Sequence, residues 1–327
     1  MNKGLKGITE ALKKHNNYLI TSHINMEGDA VGSQLAMADI LTRMGKRCII
    51  LNNDPMPASF NFMVGKKKIK TTLDKGDKFE AIVAVDCPVI ERAGTVARYF
   101  KKAKAVINID HHISNSNFGD VSWVEPEASS CGEMLYHLYK ALALKIDKGA
   151  ALCMYVAIAT DTGYFVYENT GPETHRIVSE LLKAGIKPLW VANQLNEKKT
   201  VNDLRLLAET LKTLEMYSNG RVAMLHTSRA MLKKLKLEPE SAEGFVNYAR
   251  SIKTVDIAAF FIERPDKKGE VHVSFRSKGK VDVNKLAAKL NGGGHPNASG
   301  CMIKGTIAQA KKLILKKIKK YGRYINR

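Results

Sequence analysis

Short apolar runs alternate with helical periodicity through the first half of the chain. Asn17–His23 (NYLITSH), Arg47–Asn53 (RCIILNN), Ala81–Asp86 (AIVAVD) and Lys104–Asp110 (KAVINID) are continuous apolar segments of strand length. Helical spacing fills the intervals, as in Ala30–Met44. Buried strands separated by helices predict a parallel sheet with helices on both faces. Helical patterns follow over Ser130–Leu144 and Lys148–Thr160, and a polar helical stretch, Leu189–Leu214, predicts a connection between domains. The second half differs. Arg221–Thr227, Val255–Glu263, Glu270–Arg276 and Ala298–Ile303 predict strands of a mixed sheet, broken by helices near Ser241–Ser251 and Val283–Leu290 and by a loop at Asn291–His295. The expectation is an α/β protein with a parallel-sheet catalytic domain over 1–190, a helical linker over 191–214 and a smaller α/β domain with a mixed sheet over 215–327. An active-site cleft is expected between them.

Composition narrows the class. The 327 residues are 45% hydrophobic, which excludes a disordered chain, and they contain no apolar run long enough to span a bilayer. The N-terminal MNKGLKGITEALKKHNN reads as amphipathic, without the apolar block of a signal peptide. Five scattered cysteines form no CxxC pair, which predicts reduced thiols in a cytoplasmic protein. Charge changes the picture most. A net +20 favours anionic partners, and Lys304–Arg327 carries nine basic residues and no acidic one. Ile307, Ala310, Leu313, Ile314, Lys317 and Ile318 share one helical stripe, which predicts a docked C-terminal helix with a basic outer face. Binding to a membrane surface is the alternative for such a helix.

The polar residues that interrupt this pattern collect at strand ends, where open parallel sheets place their chemistry. His23, Glu27 and Asp29 lie in HINMEGDAVGS, a strand-to-helix loop in which Gly28 would supply unusual backbone angles. Taken alone, Asp29 reads equally as a helix cap. Asp86 ends an otherwise apolar strand, where a buried carboxylate needs a cation, a proton or solvent. Asp110-His111-His112 ends the next, and adjacent histidines cannot point the same way. One ring would ligate a metal while the other meets substrate, with Asp110 fixing a ring tautomer. Asp161, in AIATDTGYF, is a further carboxylate in an apolar setting. Four carboxylates with imidazoles and no thiolate suit Mn²⁺ or a similar divalent ion, and their charge matches two such cations.

This ordered set is similar to the DHH phosphoesterase superfamily, named for the triplet Asp110-His111-His112. The second half resembles its associated substrate domain through Asn291-GGGHPNASG-Cys301. The resemblance implies that His23, Glu27 and Asp86 hold one metal and that Asp29, Asp86, His111 and Asp161 hold the other, with Asp86 bridging. It implies further that His112 contacts the scissile phosphate and that Asp110 holds the histidines. Arg276, in SFRSKG, and His295 would grip the substrate's other phosphate or nucleotide, beside a glycine cradle of Gly292, Gly293 and Gly294. Outside such a family, a triple glycine is an ordinary flexible loop. Glu27 stands where the family more typically has Asp, and its longer arm would still reach a metal.

The expected activity is metal-dependent hydrolysis of short oligoribonucleotides and linear dinucleotides to 5′-mononucleotides by a hydroxide that two metals activate. The cofactors would be two divalent ions, Mn²⁺ in the first place, with Mg²⁺ or Co²⁺ as substitutes. The alternative within the same site is a phosphatase acting on 3′-phosphoadenosine 5′-phosphate (pAp). Asn291-GGGHPNASG-Cys301 argues against a type II pyrophosphatase, and a processive exonuclease of the RecJ kind would be expected to carry an added nucleic-acid-binding domain. A catalytically silent nucleic-acid-binding module would need no such ligand set. Short RNA and pAp are thus the expected partners; no membrane and no stable protein partner is implied, and a homodimer is left open.

Overall fold

A computed structural model describes residues 3–63, 69–196, 199–264, 267–278 and 281–320, and the chain divides into two compact units, Met1–Lys198 and Lys199–Arg327. The first unit contains α1 (Lys3–Ala11), β1 (Asn17–Thr21), α2 (Gly28–Arg43), β2 (Arg47–Leu51), β3 (Ile69–Lys70), β4 (Ala81–Val85), β5 (Ala105–Asp110) and β6 (Val121–Val124). Four helices follow: α3 (Cys131–Ala141), α4 (Lys148–Asp161), α5 (Pro172–Lys183) and α6 (Pro188–Asn196). The six strands pair in parallel in the order β3-β2-β1-β4-β5-β6. Such an arrangement buries both faces, which is why β4 reads AIVAV with all five residues buried.

The two faces are covered differently. Tyr18, Ile20, Val83, Val85, Ile107 and Ile109 meet α1–α4 on one side. On the other, Leu19, Leu51, Ile82 and Ala84 meet Ala93, Val96 and Phe100 of a run of 3₁₀ turns, Ile90–Lys102, which bends at Gly94. Helices therefore cover both faces as expected, α-helices on one and 3₁₀ turns on the other. At Gly94 the backbone takes φ 59°, which breaks the segment before an α-helix can propagate. Helix α4 is buried continuously from Ala150 to Ala159 and forms the centre of the helical layer.

The second unit holds α7 (Val201–Leu211), β7 (Glu215–Tyr217), β8 (Val222–Thr227), α8 (Arg229–Leu235), α9 (Val246–Ser251), β9 (Ile257–Glu263), β10 (Glu270–Ser277), α10 (Val283–Ala288), β11 (Gly293–His295), β12 (Ala298–Lys304) and α11 (Ile307–Lys320). Its sheet runs β11-β12-β10-β9-β8-β7, with β8 and β9 parallel and the other pairs antiparallel. Val273 and Phe275 alternate inward toward Ala310, Ile314 and Ile318 of α11, the expected docked stripe. Residues 321–327 of that basic segment lie outside the described residues. The stretch read as a linker, 191–214, includes the end of α6 and all of α7. Leu206 of α7 packs against Ala223, Leu225 and Phe260 on the sheet's other face. Gly293–His295, expected as loop, pairs with β12 as a short edge strand. Among the described residues no helix is long and apolar enough to cross a membrane, and all five cysteines are free thiols.

Candidate metal centre

In the first sheet the chain moves outward from β1 through β2 to β3, then returns to β4 and proceeds the opposite way to β5 and β6. The crevice beyond the carboxyl ends of β1 and β4 is the switch point of this order, where open sheets bind ligands. His23 lies two residues past β1, Asp86 directly follows β4, and Asp110 is the last residue of β5. The backbone N–H of Asp86 still donates to the Ile109 carbonyl at 2.9 Å, while its φ of 53° turns the chain out of the sheet. A left-handed non-glycine residue costs on the order of 1 kcal/mol and is concentrated at functional sites.

The other carboxylates arrive on helices, and small residues bring them close. A Cβ at Gly28 would lie within 3.0 Å of the Thr160 side chain, and one at Gly32 within 3.0 Å of the Cys153 carbonyl oxygen. Gly132 meets Ala157 in the same way, at 2.5 Å. These three contacts let α2 and α3 close on α4, so Asp29 near the start of α2 comes to Asp161 at the end of α4. Gly28 thus serves by its lack of bulk. It lies in the first turn of α2 and does not carry the unusual angles expected for it. Asp29 also faces the N-terminus of α3: its Oδ2 accepts from Cys131 N at 2.8 Å, and its Oδ1 from Gly132 N at 3.1 Å and Ser33 Oγ at 2.7 Å. Helix N-termini favour such anions.

Three imidazoles meet these oxygens. His111 Nε2 lies 3.8 Å from Asp29 Oδ2, 3.7 Å from Asp86 Oδ1 and 3.5 Å from Asp161 Oδ2. Its Nδ1 is 3.2 Å from the Ala128 carbonyl, which can only accept, so Nδ1 carries a proton and Nε2 faces the carboxylates. His23 follows the same logic, with Nδ1 at 2.7 Å from the Ile24 carbonyl and Nε2 at 3.3 Å from Asp86 Oδ2. His112 Nδ1 donates to Asp110 Oδ1 at 2.8 Å, and Asn115 donates to Asp110 Oδ2 at 2.6 Å. Asp110 is fully buried with both oxygens engaged.

Charge crowding is visible in the acidities. Burial and the neighbouring Asp86 raise Asp29 to about 6, against the opposing pull of His111 and its hydrogen bonds. Burial, Asp29, Asp86 and Glu27 push Asp161 well above the usual carboxylate range. Burial also opposes ionisation of Asp86, but His23, His112 and His111 together outweigh it and hold this carboxyl low. Burial disfavours the cationic forms of His23 and His112; Asp86 reverses this for His23, and Asp110 with Asp86 for His112, so both are raised.

A divalent cation fits this donor set. Asp86 Oδ1 is buried and accepts no hydrogen bond from the described residues. Ligand atoms of Asp29, His111 and Asp161 lie within 4.8 Å of one another, as do those of Asp86, Asp110 and His112, and those of Asp29, Asp86 and Cys131. Oxygen and imidazole donors suit a hard-to-borderline ion. Burial and the surrounding aspartates keep the Cys131 thiol protonated, which sets it apart from the other donors.

The structure therefore gathers His23, Asp29, Asp86, Asp110, His111, His112 and Asp161. Glu27 stands at the exposed N-cap of α2, outside these groups of converging atoms among the described residues. In the second unit, Arg276 donates through Nη1 to the Phe275 carbonyl at 2.9 Å, while its Nε is buried without a hydrogen-bond partner among the described residues. Gly293 and His295 pair with Gly300 and Ala298. The Gly292 N–H is taken by the Ala287 carbonyl at 2.9 Å, so it is not part of an open anion cradle. A Cβ at Gly294 would lie 2.5 Å from the Ala298 carbonyl oxygen, so this glycine is required by the hairpin itself. Sequence reasoning missed Asn115, Ser33 and the N-terminus of α3. The last carried a signal: Ser130-x-x-Glu133 ahead of an apolar run is a capping pattern, and Ser130 Oγ does accept from Glu133 N at 3.2 Å.

Comparison with known proteins places these features. The family model described as "DHH family, N-terminal domain" matches residues 17–158, and that described as "DHHA1 domain" matches 222–322. The bifunctional oligoribonuclease and PAP phosphatase NrnA of Bacillus subtilis is 29% identical over 90% of this chain and 92% of its own length. Its Thermus thermophilus counterpart is 30% identical over 88% and 84%. Among solved structures, an exopolyphosphatase-related protein from Bacteroides fragilis superposes with a TM-score of 0.91 at 28% identity, covering 100% of both chains.

Proposed function

Since the chain belongs to the DHH family, we propose that it is a divalent-metal-dependent phosphoesterase that hydrolyses short oligoribonucleotides and linear dinucleotides to 5′-mononucleotides and also dephosphorylates pAp. The observation that carries the reading is the buried Asp86 carboxylate, ringed by three histidines, beside two further carboxylates, Asp29 and Asp161, whose charge is disfavoured by burial and by the neighbouring carboxylates. Both substrate classes appear in the names of relatives that match this chain over about nine-tenths of its length.

In this reading His23, Asp86, Asp29, His111 and Asp161 hold the ions, and Glu27 joins them by extending its side chain from the α2 N-cap. Divalent ions, Mn²⁺ foremost, would supply charge stabilisation at the phosphoryl oxygens and a lowered water pKa. His112 places a cationic ring against the scissile phosphate and stabilises its developing charge. Asp110, held by Asn115, keeps the proton on His112 Nδ1 and fixes the ring plane. Arg276 offers the substrate a guanidinium with an unused donor, and His295 adds a second polar contact. The net charge of +20 draws polyanions to the surface.

The test is product analysis of a 5′-labelled RNA ladder from two to about 24 nucleotides with Mn²⁺ and with chelator, a length range that separates short-oligomer hydrolysis from polymer binding. pAp runs as a separate substrate. Chelator-sensitive turnover that is fastest on the dimer is expected. Phosphate release from pAp with every oligomer intact would overturn the nuclease assignment.

A further inference from the structure

Glu133 is a buried carboxylate that the metal reading does not use. It lies in the first turn of α3, and its Oε2 accepts from two hydroxyls, Ser129 Oγ at 2.7 Å and Thr174 Oγ1 at 2.9 Å. Thr174 is itself buried near the start of α5, where its hydroxyl also accepts from Gly171 N at 3.3 Å. The carboxylate therefore ties three pieces of chain together: the loop before α3, α3 itself and the start of α5.

That loop is the common support of three site residues. The Ala128 carbonyl, next to Ser129, takes the Nδ1 proton of His111 at 3.2 Å. The Ser129 carbonyl accepts from Asn169 Nδ2 at 2.8 Å, and the same amide reaches the Asp161 carbonyl at 3.2 Å. In the two residues just before Glu133, the N–H groups of Cys131 and Gly132 hold Asp29. Asp29, His111 and Asp161 are the three residues whose ligand atoms converge within 4.8 Å. A displacement of residues 128–132 would move all three anchors at once, while Asp86, set by β4, would stay.

We propose that Glu133 is a positioning residue: through Ser129 and Thr174 it fixes the 128–132 segment and so sets the geometry of the Asp29–His111–Asp161 metal position. This rests on the metal-centre reading above. The role requires a hydrogen-bond acceptor and not a charge, so glutamine should replace it and alanine should not. Partners of this kind around metal ligands are worth about 10- to 100-fold in metal affinity.

The experiment is calorimetric titration of Mn²⁺ into metal-free, full-length protein at a temperature where circular dichroism shows each variant folded. Glu133→Ala is expected to weaken one class of Mn²⁺ sites about tenfold or more, and Glu133→Gln to stay within a few-fold of wild type. Ser129→Ala and Thr174→Val each remove one of the two hydrogen bonds, and each should give part of the loss. They keep the test open if Glu133→Ala fails to fold. A variant that lowers the melting temperature and leaves Mn²⁺ affinity intact would reduce Glu133 to a structural role and overturn the proposal, as would glutamine behaving like alanine. Failure of the wild type to bind Mn²⁺ would instead refute the metal reading, and this role with it.

Discussion

Asp29→Asn in chelated protein tests the electrostatics of the site most directly. Asp29 carries a pKa raised from 3.8 to about 6, chiefly by burial and then by Asp86. The native state therefore binds this proton more tightly than the unfolded chain does. Between pH 3.8 and about 6 the folded protein holds more protons, so stability falls as pH rises through that window, and the loss is complete above it. Roughly two powers of ten in proton affinity correspond to about 3 kcal/mol at 1.36 kcal/mol per pH unit. Asparagine removes that penalty. It keeps one acceptor oxygen for the hydrogen bonds of Ser33, Cys131 and Gly132, and the donor left facing its amide should cost about 1–2 kcal/mol. The net expectation at pH 7.5 is a gain of about 1–2 kcal/mol, or roughly 2–8 °C in melting temperature for a unit of this size. At pH 4.5, where wild-type Asp29 is already mostly protonated, the gain should vanish or reverse. Mn²⁺ should then stabilise the wild type far more than the variant, because only the wild type regains a charge that the ion balances. Thermal melts at both pH values, with and without Mn²⁺, decide the matter. A variant no more stable than wild type in chelator at pH 7.5, with the same pH slope, would refute the reasoning.

Other outcomes follow from the same geometry. Gly28→Ala should cost about 1–3 kcal/mol by overpacking against Thr160 and reduce activity, while Gly171→Ala, with open space around its Cβ, should shift the melting temperature little. Asp110→Asn should lower the pKa of His112 and cut kcat at least about 100-fold with little change in KM, readable by steady-state kinetics and by titration of the imidazole resonances. Arg276→Ala should lower kcat/KM about 10- to 100-fold, the worth of a lost charge-assisted hydrogen bond, with Mn²⁺ affinity unchanged. An equal loss of metal binding would contradict its placement on the substrate. Stability of the metal-free protein should also fall as pH rises past the raised pKa values of His23 and His112, since their ion pairs with Asp86 and Asp110 exist only while the rings are protonated.

Much of this was legible from side-chain order alone. Continuous apolar runs such as AIVAV can be satisfied only by a sheet covered on both faces, so β1, β2, β4 and β5 and the polar residues at their ends could be read directly. The triplet Asp110-His111-His112 and the glycine-rich Asn291–Cys301 segment pointed to the family by residue type and spacing, because a metal centre demands particular donors. Tertiary structure decided what depends on close approach. The two-residue β3 and the four-residue β6 are too short to show periodicity and exist because longer neighbours template them. Gly28 reads as a conformational residue in sequence, yet it acts, with Gly32 and Gly132, by the space left between helices. The opposite displacement of Asp29 and Asp86, and the service of Glu133 to Asp29, His111 and Asp161, arise from charges and hydrogen bonds between residues distant along the chain. Donor identity is local and can be read from the sequence; donor geometry and acidity are sums over neighbours that only the folded chain brings together.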